Sequence, residues 1–271
     1  MRARLLLGAT AAMVLVALPF VLSTAHTARF ATVGATTIAV LAVGLLARES
    51  GRLSLGHGAF MAVGGYTTAL LCEHGVGLVA AVPAAAVAGA AAGAVLALPV
   101  LGRPGRYLAL PTLGAALALG ADLGRYPAVV LPDAPGAARA YAAVWVPAAL
   151  LVAIAVVLRS RFRLLPAVAA VACSAACAGL AGGLLVLVVG HAGAASFPVR
   201  LSLLLVAAAA IGFYGAPWAA PLGALALVYV PDLLVGEQAG RGPTLFVFGL
   251  ALIALMLASP ALRRLGRRFH R

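Results

Sequence analysis

Few side chains in this sequence could make or break a bond, and their types narrow the chemistry at once. All nineteen Lys-plus-Arg residues are Arg; there is no Lys. A phosphate-binding loop needs a Lys behind its glycine-rich turn to reach the phosphates, and imine chemistry needs a Lys amine. ATP hydrolysis by that route and Schiff-base catalysis are both excluded. No His-Glu-x-x-His, no Gly-x-Ser-x-Gly and no paired-carboxylate spacing occurs. Cys173 and Cys177 stand one helical turn apart on a single apolar run, which disfavours a disulfide between them. With Cys72 they read as small packing residues. Glu73 and His74 are neighbours without further ligands in reach. Neither an enzyme nor a metal or cofactor site is expected.

What remains is polarity set inside apolar stretches. Ser54, Gly56, His57 and Gly58 open one such stretch, and Tyr66 and Thr67 follow on it. Ionisable and polar groups within a membrane segment mark a substrate pathway by default, so these six are candidate pathway residues. Each has a blander reading beside it. Gly56-His57-Gly58 could be a tight turn whose imidazole bonds a neighbouring carbonyl. Gly64 and Gly65 could serve close helix packing, and Tyr66, Thr67 and Thr68 could be interhelical hydrogen-bonders. Asp122 and Asp232 end apolar runs and read as solvated acids, while Glu49 joins Arg48 and Arg52 in a surface charge cluster.

The elements that must hold these groups are set by composition. Of 271 residues 65% are hydrophobic and 9% charged, where a soluble domain has about half and about a quarter. Apolar runs fall at 5–24, 30–47, 54–72, 78–101, 106–121, 141–158, 164–190, 201–214, 217–235 and 243–258. Ten crossings at about 20 residues each use roughly 200 positions, leaving about six per connection. No room exists for a soluble domain. The expected fold is all-α: one transmembrane domain over residues 1–271, a polytopic bundle of about ten spans in the cell membrane. The runs at 106–121 and 201–214 are short for a core of about 30 Å, so each is expected to lie nearly upright or to thin the bilayer.

Arginine placement orients the bundle. With a cytoplasmic N-terminus, fourteen of the nineteen Arg fall inside, among them Arg2, Arg4, Arg103, Arg159, Arg161, Arg163 and the basic tail from Arg263 to Arg271. An even number of spans then puts both termini in the cytoplasm. A net charge of +13 would suggest nucleic acid in a soluble protein. Here the Arg sits at segment ends, where anionic lipid attracts it by about 1 kcal/mol each; membrane lipid is the partner and nucleic acid is not. The apolar stretch after Arg4 imitates a secretory signal, but Leu5 to Leu22 exceeds the roughly 7–15 residues of a signal core. An uncleaved first span is expected.

The run Ser54-Leu55-Gly56-His57-Gly58-Ala59-Phe60, followed by Gly64-Gly65-Tyr66-Thr67, closely resembles the signature of permease subunits of ABC importers for branched-chain amino acids. Three weaker stretches follow in the family's order: Gly105 to Leu113, Ala175 to Gly183 and Gly212 to Ala224. The resemblance implies an importer for branched-chain or related amino acids in which a second permease subunit completes the pathway. Separate ATP-binding subunits supply the energy, and an extracytoplasmic substrate-binding protein delivers the cargo.

One departure bears on that expectation. The family carries a longer cytoplasmic loop with a short coupling helix before its Ala-Gly-Leu-Ala-Gly segment. Here Leu158 to Pro166 stands in its place, with Arg159, Arg161 and Arg163 as the residues left for ATPase docking. An amphipathic docking helix needs roughly 8–11 residues, and only 159–163 lie between the apolar runs that end at 158 and begin at 164. A second reading therefore stands beside the first: a degenerate permease paralogue serving as a non-transporting membrane partner or scaffold. An ATP-independent carrier is a third, weakened by the scarcity of acids to bind a driving ion.

Overall fold

The computed structural model describes residues 17–100, 102–125, 127–162, 164–212 and 217–235. The run at 243–258, most of the run at 5–24, both termini and Arg163 lie outside the described residues, as do the side chains of Arg159 and Asp232. The described chain is a helical bundle: α1 (Thr24–Glu49), α2 (His57–Glu73), α3 (Leu78–Ala97), α4 (Ala109–Leu123), α5 (Ala137–Phe162), α6 (Ala167–Val189), α7 (Arg200–Gly212) and α8 (Ala220–Val235). Each of the eight apolar runs between 30 and 235 is a helix. Segments within α1, α5 and α6, and α3 together with the 3-10 turn that extends it to Val100, of 22 to 24 residues, are long and apolar enough to cross a membrane.

α1 and α6 are the interior of the bundle. Their most apolar windows are 83% and 67% buried, against 22% for α3 and 28% for α5. Between helices in lipid there is little hydrophobic drive, so close packing of small residues must hold them. α3 shows how this is done. Its buried residues are Ala81, Ala85, Gly89, Gly93 and Ala97, a ridge repeating every four residues that fits a groove on the neighbouring helix. The groove belongs to α6, and the α3–α6 contact is the most extensive among the described residues. A Cβ placed on Gly89 would strike the Ala175 carbonyl oxygen, and one on Gly179 the Ala85 carbonyl oxygen. α2 lies against the same helix: a Cβ on Gly64 would overlap the Gly179 carbonyl, and one on Gly182 the Met61 carbonyl. Gly179 thus touches two helices with bare backbone.

α5 packs on α1, where the Trp145 indole N–H donates to the Phe30 carbonyl at 2.9 Å and Val144 and Trp145 cover Gly34. A two-residue antiparallel ladder, Val129–Val130 (β1) with His191–Ala192 (β2), joins the segment after α4 to the end of α6.

The short run at 201–214 differs from expectation in an instructive way. α6 ends at Gly190, whose φ of 80° places it in the left-handed region while its N–H bonds Val186, a glycine C-terminal stop. The chain then turns back along α2. Phe197 packs on Gly65, and Leu201 and Ser202 reach Gly58. α2 and α6 run side by side in the same direction, since His57 meets Ser174 and Gly65 meets Val186. The return from the level of Thr68 to that of Gly58 is therefore about 15 Å at 1.5 Å per residue. α7 is short because it starts partway down the bundle. The returning segment before it covers the rest of that depth.

Candidate functional site

The N-terminus of α2 is where most elements converge. A helix start leaves backbone N–H groups without intrahelical acceptors, and the N-cap here, Gly56, has no side chain to serve them. Other elements supply the acceptors. Leu55 N–H donates to Thr112 Oγ1 of α4 at 3.0 Å, and Gly58 N–H to Ser202 Oγ of α7 at 3.1 Å. Gly56 N–H reaches Ser54 Oγ at 3.4 Å. A Cβ on Gly56 would strike the Thr112 carbonyl, and one on Gly58 would sit 2.7 Å from Ser202 Oγ. Both glycines are what lets α4 and α7 come this near.

His57 adds a third tie. It is 1% exposed, and its Nε2 lies 2.8 Å from Ser174 Oγ of α6. Ser174 Oγ in turn donates to the Ala42 carbonyl of α1 at 2.9 Å. The serine has one proton and spends it on Ala42, so His57 Nε2 must carry the hydrogen that Ser174 accepts. Phe60 meets the imidazole edge-on, with ring centroids 5.7 Å apart. The stretch from Ser54 to Gly58 is thus a polar joint binding α1, α2, α4, α6 and α7.

The other two residues expected on the pathway lie farther along α2. Thr67 Oγ1 donates to Val63 of its own helix at 2.7 Å. Tyr66 packs on Phe197 with ring centroids 6.5 Å apart, and its buried hydroxyl has no hydrogen-bond partner among the described residues. Ser54, Gly56, His57 and Gly58 come together; Tyr66 and Thr67 stand apart from them, and none of the six lines the cavities described here. Among the acids, Asp122 pairs with Arg125 at 3.6 Å on the surface.

The cavity of greatest chemical interest adjoins the joint. It has a volume of about 420 Å³ and extends from Val189 and His191 at the end of α6 to Met61 in the second turn of α2. Its size is in the range of small-molecule sites, about 300–1,000 Å³. Thr32 and Thr36 of α1, His191 just past α6, Ser196 of the returning segment and Arg200 at the start of α7 supply its polarity, and Leu185 and Leu204 part of its apolar wall. Sequence reasoning missed all five polar residues. The available signal was an Arg placed immediately before an apolar run, 201–214, too short to cross.

At the opposite end, α5 continues through Arg159 and Arg161 to Phe162, and α6 begins at Ala167. Leu164 and Leu165 turn back onto Arg161 and Phe162 by backbone bonds of 3.0 and 3.3 Å. No separate helix lies between α5 and α6 among the described residues. Arg161 stands at the edge of a second cavity of about 310 Å³, walled by apolar residues such as Leu45, Ile154 and Leu165.

The high-affinity branched-chain amino acid transport system permease protein LivM of Salmonella typhimurium is 50% identical over 66 residues, covering 24% of this chain and 16% of that protein. LivM of Escherichia coli matches to the same extent. The matched stretch is thus a small part of those relatives' length. No solved structure matches the chain. The family described as branched-chain amino acid transport system, permease component, matches residues 26–162, which run from the first turn of α1 through the joint to the end of α5. Over more than half its length the chain carries that family's pattern, and it belongs to the permease components of branched-chain amino acid transport systems.

Proposed function

We propose that this chain is a permease subunit of an ATP-driven importer for branched-chain or related amino acids, with ATP hydrolysis supplied by separate subunits. The observation that carries the reading is the family match from residue 26 to 162, which contains the Ser54–Gly58 stretch of the joint and its partner Thr112. A second permease subunit, ATP-binding subunits and an extracytoplasmic substrate-binding protein complete the assembly. The chain forms a single membrane domain of about ten spans with both termini cytoplasmic, supported by the Arg bias and by helices at eight of the ten apolar runs. In this reading Ser54, Gly56, His57 and Gly58 border the pathway. Alternating access needs helices that move against one another, and a joint linking five of them is a natural pivot. Tyr66 and Thr67 are carried on the same helix.

The test is uptake of labelled leucine, isoleucine and valine in cells with and without the chain, together with affinity purification of the tagged full chain. Loss of uptake and recovery of an ATP-binding subunit are expected. Unchanged uptake would sink the transport role. The scaffold reading is favoured by one observation, the direct passage from Phe162 to Ala167 without a docking helix. It requires that the chain co-purify with a second permease while uptake is indifferent to substitution of Arg159, Arg161 and Arg163.

A further inference from the structure

The cavity between α1, α2, α6, α7 and α8 has four of its five polar residues sorted by chemistry; the fifth, His191, uses its Nδ1–H on the Val189 carbonyl at 3.3 Å. Thr36 Oγ1 donates to the Thr32 carbonyl at 2.7 Å, and Thr32 Oγ1 to the Ala28 carbonyl at 3.1 Å. With their hydrogens committed, both hydroxyls present only lone pairs, so this wall can accept and not donate. Ser196 and Arg200 are the reverse. Ser196 Oγ is buried without a hydrogen-bond partner, and Arg200 is a donor only. No Asp or Glu lines the cavity, and no ion pair engages Arg200, among the described residues. An unpaired arginine within a membrane bundle calls for an anion. α7 adds to the positive potential through its dipole. Its first turn offers less by hydrogen bonding, because Leu201 and Ser202 already donate to Pro198 and Val199 at 2.8 and 3.1 Å. Between the two poles lie Leu185 and Leu204.

We propose that this cavity binds a free, zwitterionic amino acid with an aliphatic side chain. The carboxylate is held at Arg200 and Ser196, the ammonium at the threonine oxygens, and the side chain against the leucines. The inference rests on the permease reading and deepens it, by assigning substrate recognition to this chain alone and to residues outside the signature stretch. It makes α7's displaced start functional: only a helix beginning inside the bundle can bring Arg200 to the level of Met61.

The experiment is equilibrium binding of tritiated leucine to the full chain with its co-purifying subunits in lipid nanodiscs. Competitors are leucinol, which lacks the carboxylate, and 4-methylpentanoate, which lacks the ammonium. The wild type should bind leucine at least about tenfold more tightly than either, the worth of one charge-assisted contact. Arg200→Gln should weaken leucine about tenfold or more while leaving leucinol nearly unchanged, with Arg200→Lys partly restoring leucine. Ser196→Ala should have a smaller effect of the same kind. The ligand series needs no variant, so a variant that fails to assemble does not decide the matter. Leucinol or 4-methylpentanoate competing as well as leucine overturns the proposal. So does an Arg200→Gln protein that is folded and binds leucine normally; either result leaves the permease reading standing. A wild-type assembly that neither binds nor transports any aliphatic amino acid overturns the permease reading itself, and the site with it.

Discussion

The α2–α3–α6 sector and the α1–α7–α8 sector meet on the same central helices, yet they treat space and polarity in opposite ways. In the first, backbone lies on backbone at Gly64, Gly89, Gly179 and Gly182. The polar groups of the adjoining joint are tied to protein partners except His57 Nδ1, while farther along α2 the buried Tyr66 and Thr68 hydroxyls also lack one among the described residues. In the second, a cavity of about 420 Å³ remains, and Ser196 Oγ and Arg200 face it without protein partners among the described residues. The difference separates two uses of polarity in a membrane bundle. At the joint, satisfied hydroxyls and an imidazole join helices; at the cavity, an unsatisfied hydroxyl and a guanidinium await something that is not helix.

Substitutions can break this contrast, beginning where the helices are closest. Gly179→Leu should cost well over about 3 kcal/mol, because overpacking here pushes two helices at once; loss of monodisperse protein in detergent is the expected result. Gly114→Ala is its control. Nothing lies within 4 Å of a Cβ there, and replacing a helical glycine should be neutral or stabilise by up to about 1 kcal/mol. A stability for Gly179→Leu close to that of Gly114→Ala would mean that the helices do not pack as described.

The joint should give the next largest effect. Ser174→Ala strands His57 Nε2 and should cost about 1–3 kcal/mol, read as a lowered Tm. His57→Ala and Ser174→Ala combined should fall short of the sum of the singles, since both remove one interaction. Additive losses would deny the bond. The cavity should respond in the opposite sense: Arg200→Gln should leave stability within about 0.5 kcal/mol or raise it, although leucine binding falls. A large loss of stability would instead make Arg200 a structural tie like His57. The smallest effect belongs to Arg125→Gln, whose exposed pair with Asp122 should contribute about 0–1 kcal/mol, vanishing in high salt.

Much of the fold is readable from the chain, and the parts that are not share a cause. The helices at 78–97 and 167–189 follow from apolar runs with small residues at every fourth position, a local signal. The signature at Ser54 to Gly58 is equally local. Its partners are not: Ser174 lies 117 residues from His57, and Ser202 144 from Gly58. Whether the glycines flanking His57 served a pathway or a close contact depended on those partners. α7 is the clearest case. Its length was legible; its level was not, because that is decided by Phe197 resting on Gly65, a contact with no trace in hydropathy. With the level hidden, Arg200 could only be read as a loop charge.

The two-residue ladder between Val129–Val130 and His191–Ala192 has a consequence out of proportion to its size. The Leu131 N–H also bonds the Gly190 carbonyl at 2.9 Å, so the connection ahead of α5 is fastened to the very point where the chain leaves α6 and dips toward Arg200. Anything that grips residues 131–136 from outside pulls on a rein whose other end is Ser196. A pull on that rim alters the chamber's shape without anything entering it.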